Sequence, residues 1–194
     1  MESFAYAGHL VWGCSRSYGV DVTDPEALER FAALRAPIDL WVNNAGVLGP
    51  LGPISEVDVA DNLRVNVLGV VHGTQAFLRH KAPDGVLVNI SSGAATTPYE
   101  HWGPYCASKA AVDMLTEVTV LEGHARAYAV SPGLIDTDMQ AELRRTDFPG
   151  RERFVRAKEA EAFNSPAWVA RHLLDVAFGD VRPPTRWRIP DQPR

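Results

Sequence analysis

The chain has 194 residues, of which 46% are hydrophobic and 22% charged, with a net charge of -5; that is enough for one domain burying roughly two thirds of its unfolded surface. The acidic balance, with no block of Lys or Arg, excludes nucleic acid or an anionic membrane as the main partner. Two cysteines, Cys14 and Cys106, exclude a disulfide framework and point to a reducing compartment. Met1-Glu2-Ser3-Phe4 lacks the basic start and apolar run of a secretion signal, and no apolar stretch approaches the ~20 residues of a membrane span. A soluble cytoplasmic protein is expected, with residues 1–194 forming one domain.

In chain order, His9 to Cys14 reads as a short buried strand, entered through Gly8-His9 as from a helix exit, and Val20-Asp21-Val22 as another. Thr23 or Asp24 caps a helix from Glu26 to Leu34, with Pro25 in the first turn, where a missing N–H costs nothing. Ile38 to Val42 is a strand, and Gly46 to Pro53 a loop broken by glycines and prolines. From about Ser55 to Leu78 the apolar positions recur at helical spacing. Gly85 to Ile90 is a strand, Pro104 to Leu121 a long helix, and Ala127 to Val130 a strand. Residues 139–163 are charged and helical in pattern, interrupted at Pro149-Gly150. Ser165-Pro166 starts a helix to about Ala177, and Thr185 to Ile189 is a last strand. Strands alternating with helices imply an α/β fold with a doubly wound, mostly parallel sheet.

Tyr105 and Lys109 lie four residues apart in GPYCASKAAVDML, so a helix places the amine one turn from the phenol. An unperturbed phenol titrates near ~10, and a neighbouring cation favours phenolate; an acidified Tyr105, able to exchange a proton with a substrate oxygen, is therefore expected. Ser92, thirteen residues upstream, follows the strand Val86 to Ile90 and so stands at a carboxyl end, where ligands bind in open parallel sheets. A turn serine bonded to its own backbone is the plainer reading. Asn43-Asn44-Ala45-Gly46 is a strand running into a glycine turn, Asn66 lies in the next helix, and Pro132-Gly133-Leu134-Ile135-Asp136-Thr137 follows a later strand. Tyr99, Glu100, His101 and Trp102 either line a pocket for a planar or bulky ketone or simply pack the loop. His72 reads as a surface or interface residue, and no Cys/His spacing suggests a metal.

Taken together, NNAG, the VN of the following helix, NISS, YxxxK and PGxxxT resemble the short-chain dehydrogenase/reductase family, over roughly residues 20–190. The resemblance implies a Rossmann-like fold and an NADP-dependent reduction of a ketone or oxidation of a secondary alcohol. It implies that Tyr105 donates the proton, Ser92 bonds the substrate oxygen, Lys109 lowers the tyrosine pKa and holds the nicotinamide ribose, and Asn66 fixes a water behind it. Asn43, Ala45 and Gly46 would pack beside the adenine ribose, Asp21 and Val22 would contact adenine, and Ile135 and Thr137 the carboxamide. The tail from Met139 to Ala170 is similar to the sepiapterin/benzil reductase branch. A homo-oligomer is expected from the family's helical dimer interfaces.

The family's phosphate-binding TGxxxGxG turn is not recognisable here. Either Gly8 to Ser17 is the family's second strand and turn, with Arg16 placed to take the 2'-phosphate of NADP, or Trp12 to Gly19 is a decayed glycine loop. Both readings leave the first βαβ unit, about 30 residues, missing or degraded, so the sheet must pair its second and fourth family strands directly or leave an edge for another chain. Loss of the cofactor would favour two other functions. One is a non-redox enzyme reusing Ser92, Tyr105 and Lys109 for proton transfer; the other is a non-catalytic oligomerisation partner.

Overall fold

The structure, a computed structural model, describes residues 4–5 and 7–193; Met1-Glu2-Ser3 lies outside them. Its frame is a four-stranded sheet of β1 (Ile38–Asn43), β2 (Lys81–Ile90), β3 (Arg126–Ser131) and β4 (Arg186–Arg188), in that spatial order. All three pairings are parallel. The strands form where β-branched and aromatic residues run together, and both faces are covered, as parallel sheets require.

Helix α1 (Pro25–Ala33) is capped by Asp24, whose carboxylate accepts from the N–H of Glu26 and Ala27. Helix α2 has three parts: an α-helical Ala60–Leu63, a wide π-turn Arg64–Leu68, and an α-helical Gly69–His80. It starts later than periodicity suggested, because Asp58 takes the N–H of Ala60 and closes the loop there. Helix α3 (Gly103–Leu121) follows β2, the charged segment divides into α4 (Asp138–Arg145) and α5 (Glu152–Glu159) around Pro149-Gly150, and α6 is Pro166–Phe178.

Alternate strand residues divide the core. Trp41, Leu87 and Ala127 pack with Leu28, Ala32, Ala76 and Phe77 beneath α1 and α2. Val86, Val88, Tyr128 and Val130 face Val169, Leu173 and Val176 of α6. Burying these side chains supplies most of the driving force, at ~1.5–3 kcal/mol for each large aliphatic. Between β1 and α2 the fit is close: a methyl on Gly73 would lie 2.1 Å from Asn43 Oδ1.

Two expected strands do not form. Residues 9–14 and 20–21 are irregular, and Val22 opens a turn with Thr23. The backbone there is diverted into local bonds: Tyr18 N to Ser15 O at 2.9 Å, Val20 N to Ser15 O at 3.0 Å, and Asp24 N to Asp21 O at 3.1 Å. The Asp21 carboxylate takes the N–H and hydroxyl of Thr23, both at 2.9 Å. Gly8, at φ +83°, does end a helical turn, its N–H reaching Ala5 O at 3.0 Å. Direct pairing of the family's second and fourth strands is therefore not what happens; among the described residues, β1 pairs with β2 alone and is an edge.

Candidate active site

The parallel strands end together at Asn43, Ile90 and Ser131, and the loops leaving them carry the candidate residues to one end of the sheet. Ser92 follows β2 and caps a short 3-10 turn, its hydroxyl accepting from Ala94 N at 3.2 Å. The plainer reading of Ser92 is thus true of its backbone contact. It does not exhaust the side chain, because the same hydroxyl lies close enough to the Tyr105 phenol to favour its ionised form.

Tyr105 and Lys109 sit on the buried face of α3, 8% and 5% exposed. The ammonium is 5.6 Å from the centroid of the Tyr105 ring and donates to Ile90 O at 2.7 Å. The expected acidification of the phenol is not found. Burial raises the Tyr105 pKa, with the Ser92 hydrogen bond opposing it and Cys106 adding slightly. Burial likewise lowers the Lys109 pKa to about 8. Both shifts follow from removing water from the charged form, and they carry the two proton affinities apart, the phenol's upward and the amine's downward to about 8.

Asn66 lies on the π-turn and holds the loop after β1: its Oδ1 accepts from Val47 N and its Nδ2 donates to Val47 O, each at 2.8 Å. Its Nδ2 also reaches Ser108 Oγ at 3.1 Å, tying the loop to α3 between Tyr105 and Lys109. Gly46 completes the junction, since a methyl there would lie 3.3 Å from Asn66 Oδ1 and 3.7 Å from Lys109 Nζ. Ser92, Tyr105, Lys109, Asn66 and Gly46 are thus brought together, with Ala45 beside Gly46 in the same loop.

Asn43 stands lower and has a structural task. Its Nδ2 donates to Asn89 Oδ1 at 2.8 Å, and Asn89 Nδ2 donates to Thr116 Oγ1 at 2.8 Å, a buried ladder joining β1, β2 and α3. Val22 packs on Gly69 of α2, whose added methyl would meet it at 2.8 Å, and its carbonyl bonds His72 Nδ1 at 3.1 Å. Asp21 and Arg16 are exposed, in consecutive turns. Ile135 packs on the α6 side of the core, and exposed Thr137 precedes α4.

An aromatic wall rises beside the phenol. Trp102 packs edge-on against Tyr105 with centroids 5.7 Å apart, and stacks on Phe154 at 5.5 Å. Phe148 closes the cluster at 5.8 Å from Trp102. Arg153 of α5 donates to Tyr99 Oη at 3.0 Å and fastens α5 to the loop.

Sequence reasoning missed several supports. Asn62 donates to Leu48 O at 2.9 Å, and Asn164 donates to Pro132 O at 2.8 Å behind Gly133. The i, i+4 repeat of Asn62 and Asn66 was the available signal for the first; Asn164 had none, because its partners are about 30 residues away.

A dinucleotide fits this site unevenly. Tyr105, Lys109 and the Asn43 to Gly46 turn suit a ribose and nicotinamide ring at the carboxyl end of the sheet. The pyrophosphate side does not fit: Arg16–Tyr18 is a single 3-10 turn ending at Gly19 (φ +77°), and the next helix, α1, begins only at Pro25 with its first N–H groups already taken by the Asp24 carboxylate.

Comparison with known proteins bears on the whole chain. Residues 15–147 match the family model described as short chain dehydrogenase. A benzil reductase ((S)-benzoin forming) of Bacillus cereus is 37% identical over 149 residues, 70% of this chain and 60% of that protein. A sepiapterin reductase of Meriones unguiculatus is 35% identical over 174 residues, 83% of this chain and 63% of that protein. The chain therefore spans about three fifths of the length of these relatives. A small-chain dehydrogenase solved in complex with NADPH shares the fold, with a TM-score of 0.79, 18% identity, and coverage of 93% of this chain and 84% of that one. With a family model matched across 15–147, and with these relatives, the chain belongs to the short-chain dehydrogenase family.

Proposed function

We propose that the chain carries the proton-transfer half of an NADP(H)-dependent carbonyl reductase acting on a bulky or aromatic ketone or diketone, and running in reverse on the secondary alcohol. The observation that carries this reading is the convergence of Ser92, Tyr105 and Lys109 beneath an aromatic wall. NADPH, when bound, would supply hydride to the carbonyl carbon. Ser92 donates to the carbonyl oxygen, where charge develops. Tyr105 passes its proton to the same oxygen, and its raised pKa keeps it protonated and ready to donate at neutral pH. Lys109, held against Ile90 O, is placed to bind a ribose hydroxyl and return the proton to Tyr105. Asn66 holds the loop that shapes this corner.

Trp102, Phe148 and Phe154, buried against one another, form the apolar backing of the corner beside Tyr105, in keeping with the named substrate of the benzil reductase relative. Arg16, exposed beyond Cys14, is proposed to take the 2'-phosphate, with Asp21 and Val22 nearer the adenine, Asn43, Ala45 and Gly46 at its ribose, and Ile135 and Thr137 at the carboxamide. The stripe Met114, Val118 and Leu121 on α3, exposed by 57%, 40% and 85%, suits self-association. No described helix is long and apolar enough to cross a membrane.

The test is reduction of benzil, an aromatic 1,2-diketone, followed by loss of reduced-nicotinamide absorbance. Turnover by the wild type and a ~10^3-fold loss in Tyr105→Phe are expected, within the range of general acid catalysis. Absence of NADPH binding at millimolar concentration would sink the reading.

A further inference from the structure

Lys109 presents a physical difficulty. Its ammonium is buried and its hydrogen bond goes to a carbonyl, Ile90 O, which carries no countercharge. An ammonium so placed ordinarily loses its proton unless an anion acts on it. The next residue on the same helical face, one turn beyond Lys109, is Asp113, itself a buried carboxylate. Asp113 accepts a short hydrogen bond from the hydroxyl of Ser91. Ser91 is in turn fixed by its N–H to Val130 O at 2.8 Å, and it lies between Ile90, which receives the lysine, and Ser92, which faces the phenol.

We propose that Asp113 is a positioning residue: pinned by Ser91, its carboxylate supplies the field that keeps the buried Lys109 ammonium charged. Tyr105, Lys109 and Asp113 then form one line along α3, phenol, ammonium, carboxylate, with Ser92 and Ser91 as their counterparts on the strand end. The charges around Asp113 come from three elements. Lys109 and Glu117 share its helix, Ser91 faces it from the end of β2, and Arg186 of β4 acts on it while paired with Glu117 at 2.5 Å. Burial raises the Asp113 pKa, while the Ser91 hydrogen bond and Arg186 lower it and Glu117 raises it. On Lys109, burial acts downward and Asp113 upward.

The catalytic consequence rests on the function proposed above, but the electrostatic claim does not. The chain has only three lysines, Lys81, Lys109 and Lys158. Protein labelled with 13C at the lysine ε-carbon therefore gives three NMR signals, and Lys81→Arg and Lys158→Arg assign the third to Lys109. Titrated without substrate or cofactor, Asp113→Asn is expected to lower the proton affinity of Lys109 at least about fivefold, and Asp113→Glu to restore it to within about twofold, as loss and return of one nearby charge require. Ser91→Ala, which leaves the carboxylate in place but unpinned, should lower it by about two- to threefold.

An unmoved Lys109 titration in Asp113→Asn overturns the proposal and leaves Asp113 a purely structural tie between α3 and β2. If Asp113→Asn does not fold, an unmoved titration in Ser91→Ala overturns it equally. Failure of the wild type to reduce benzil would count against the proposed function alone, since the titration needs no turnover.

Discussion

Two parts of the molecule are built to different standards. From β1 onward, polar side chains interlock: Asn43 with Asn89 and Thr116, Asn62 and Asn66 with the loop after β1, Asn164 with the loop after β3. Residues before α1 wrap across the fold with little of this. Phe4 packs on the α6 side, His9 stacks on Phe178 at 4.5 Å, and Val22 reaches α2, yet Leu10 is 84% exposed, Tyr18 62% and Trp12 53%. The molecule thus has a closely interlocked corner around Tyr105 and Lys109 and a loosely held flank before α1. Proton transfer needs groups fixed within hydrogen-bond reach, and a flank that only covers apolar surface does not.

Four substitutions test that contrast, beginning with the largest effect. Asn66→Leu should cost roughly 3 kcal/mol, because the half-buried Val47 N–H loses its partner at ~2 kcal/mol and Val47 O keeps only the longer bond from Asn62 Nδ2 at 3.3 Å, a further ~1 kcal/mol; urea unfolding measures it, and a loss under 1 kcal/mol would show the loop to be held by other means. Gly73→Ala should cost about 3 kcal/mol by driving a methyl into the Asn43 side chain, despite its better helix propensity, and a neutral result would show that the ladder can yield.

Lys109→Met should act in the other direction. The Lys109 pKa is depressed in the folded state, to about 8 against 10.5 for the free side chain, so between those values the unfolded chain binds more protons and stability rises with pH. Below about pH 8 the charged, buried amine costs about 3 kcal/mol. Removing it, less ~1 kcal/mol for the lost bond to Ile90 O, should stabilise by about 2 kcal/mol at pH 7 and flatten the alkaline rise. Thermal melts at pH 7 and pH 10 read both effects, and a destabilised variant would contradict them. The smallest effect belongs to Leu10→Ser, within ~0.5 kcal/mol as for exposed positions generally. A larger loss would show the flank to be better anchored than its exposure implies.

Much of the fold was legible where a segment's own residues determine it. The apolar runs at 38–42 and 85–90 became strands, Asp24 became the cap, and Pro149-Gly150 parted two helices. His9 to Cys14 shows the limit. Its composition suits a strand, but a strand exists only against a partner, and local turns at Ser15 to Gly19 and Asp21 to Thr23 capture the backbone first. The site was legible as a set of positions, because Tyr105 and Lys109 share a helical face whatever surrounds them. The direction of the phenol's shift was not legible. It depends on dehydration by Trp102, Phe148 and Phe154, two of which lie more than 40 residues along the chain. Asp113 and Asn62 looked like ordinary polar helix residues until packing enclosed them.

The π-turn at Arg64–Leu68 has a consequence for how this helix can vary. A π-turn amounts to one surplus residue inside an α-helix, and each residue advances an α-helix by about 100°. Excising a single residue from this stretch would heal the hydrogen-bond ladder and give a more regular rod. It would also rotate Asn62 out of phase with Gly69, which packs on Val22, and with Gly73, which locks the other half against β1. The irregularity is a phase adjuster: it lets one continuous helix address the sheet with one half and the loop beside Tyr105 and Lys109 with the other. Length changes here should be tolerated far less well than changes of side chain.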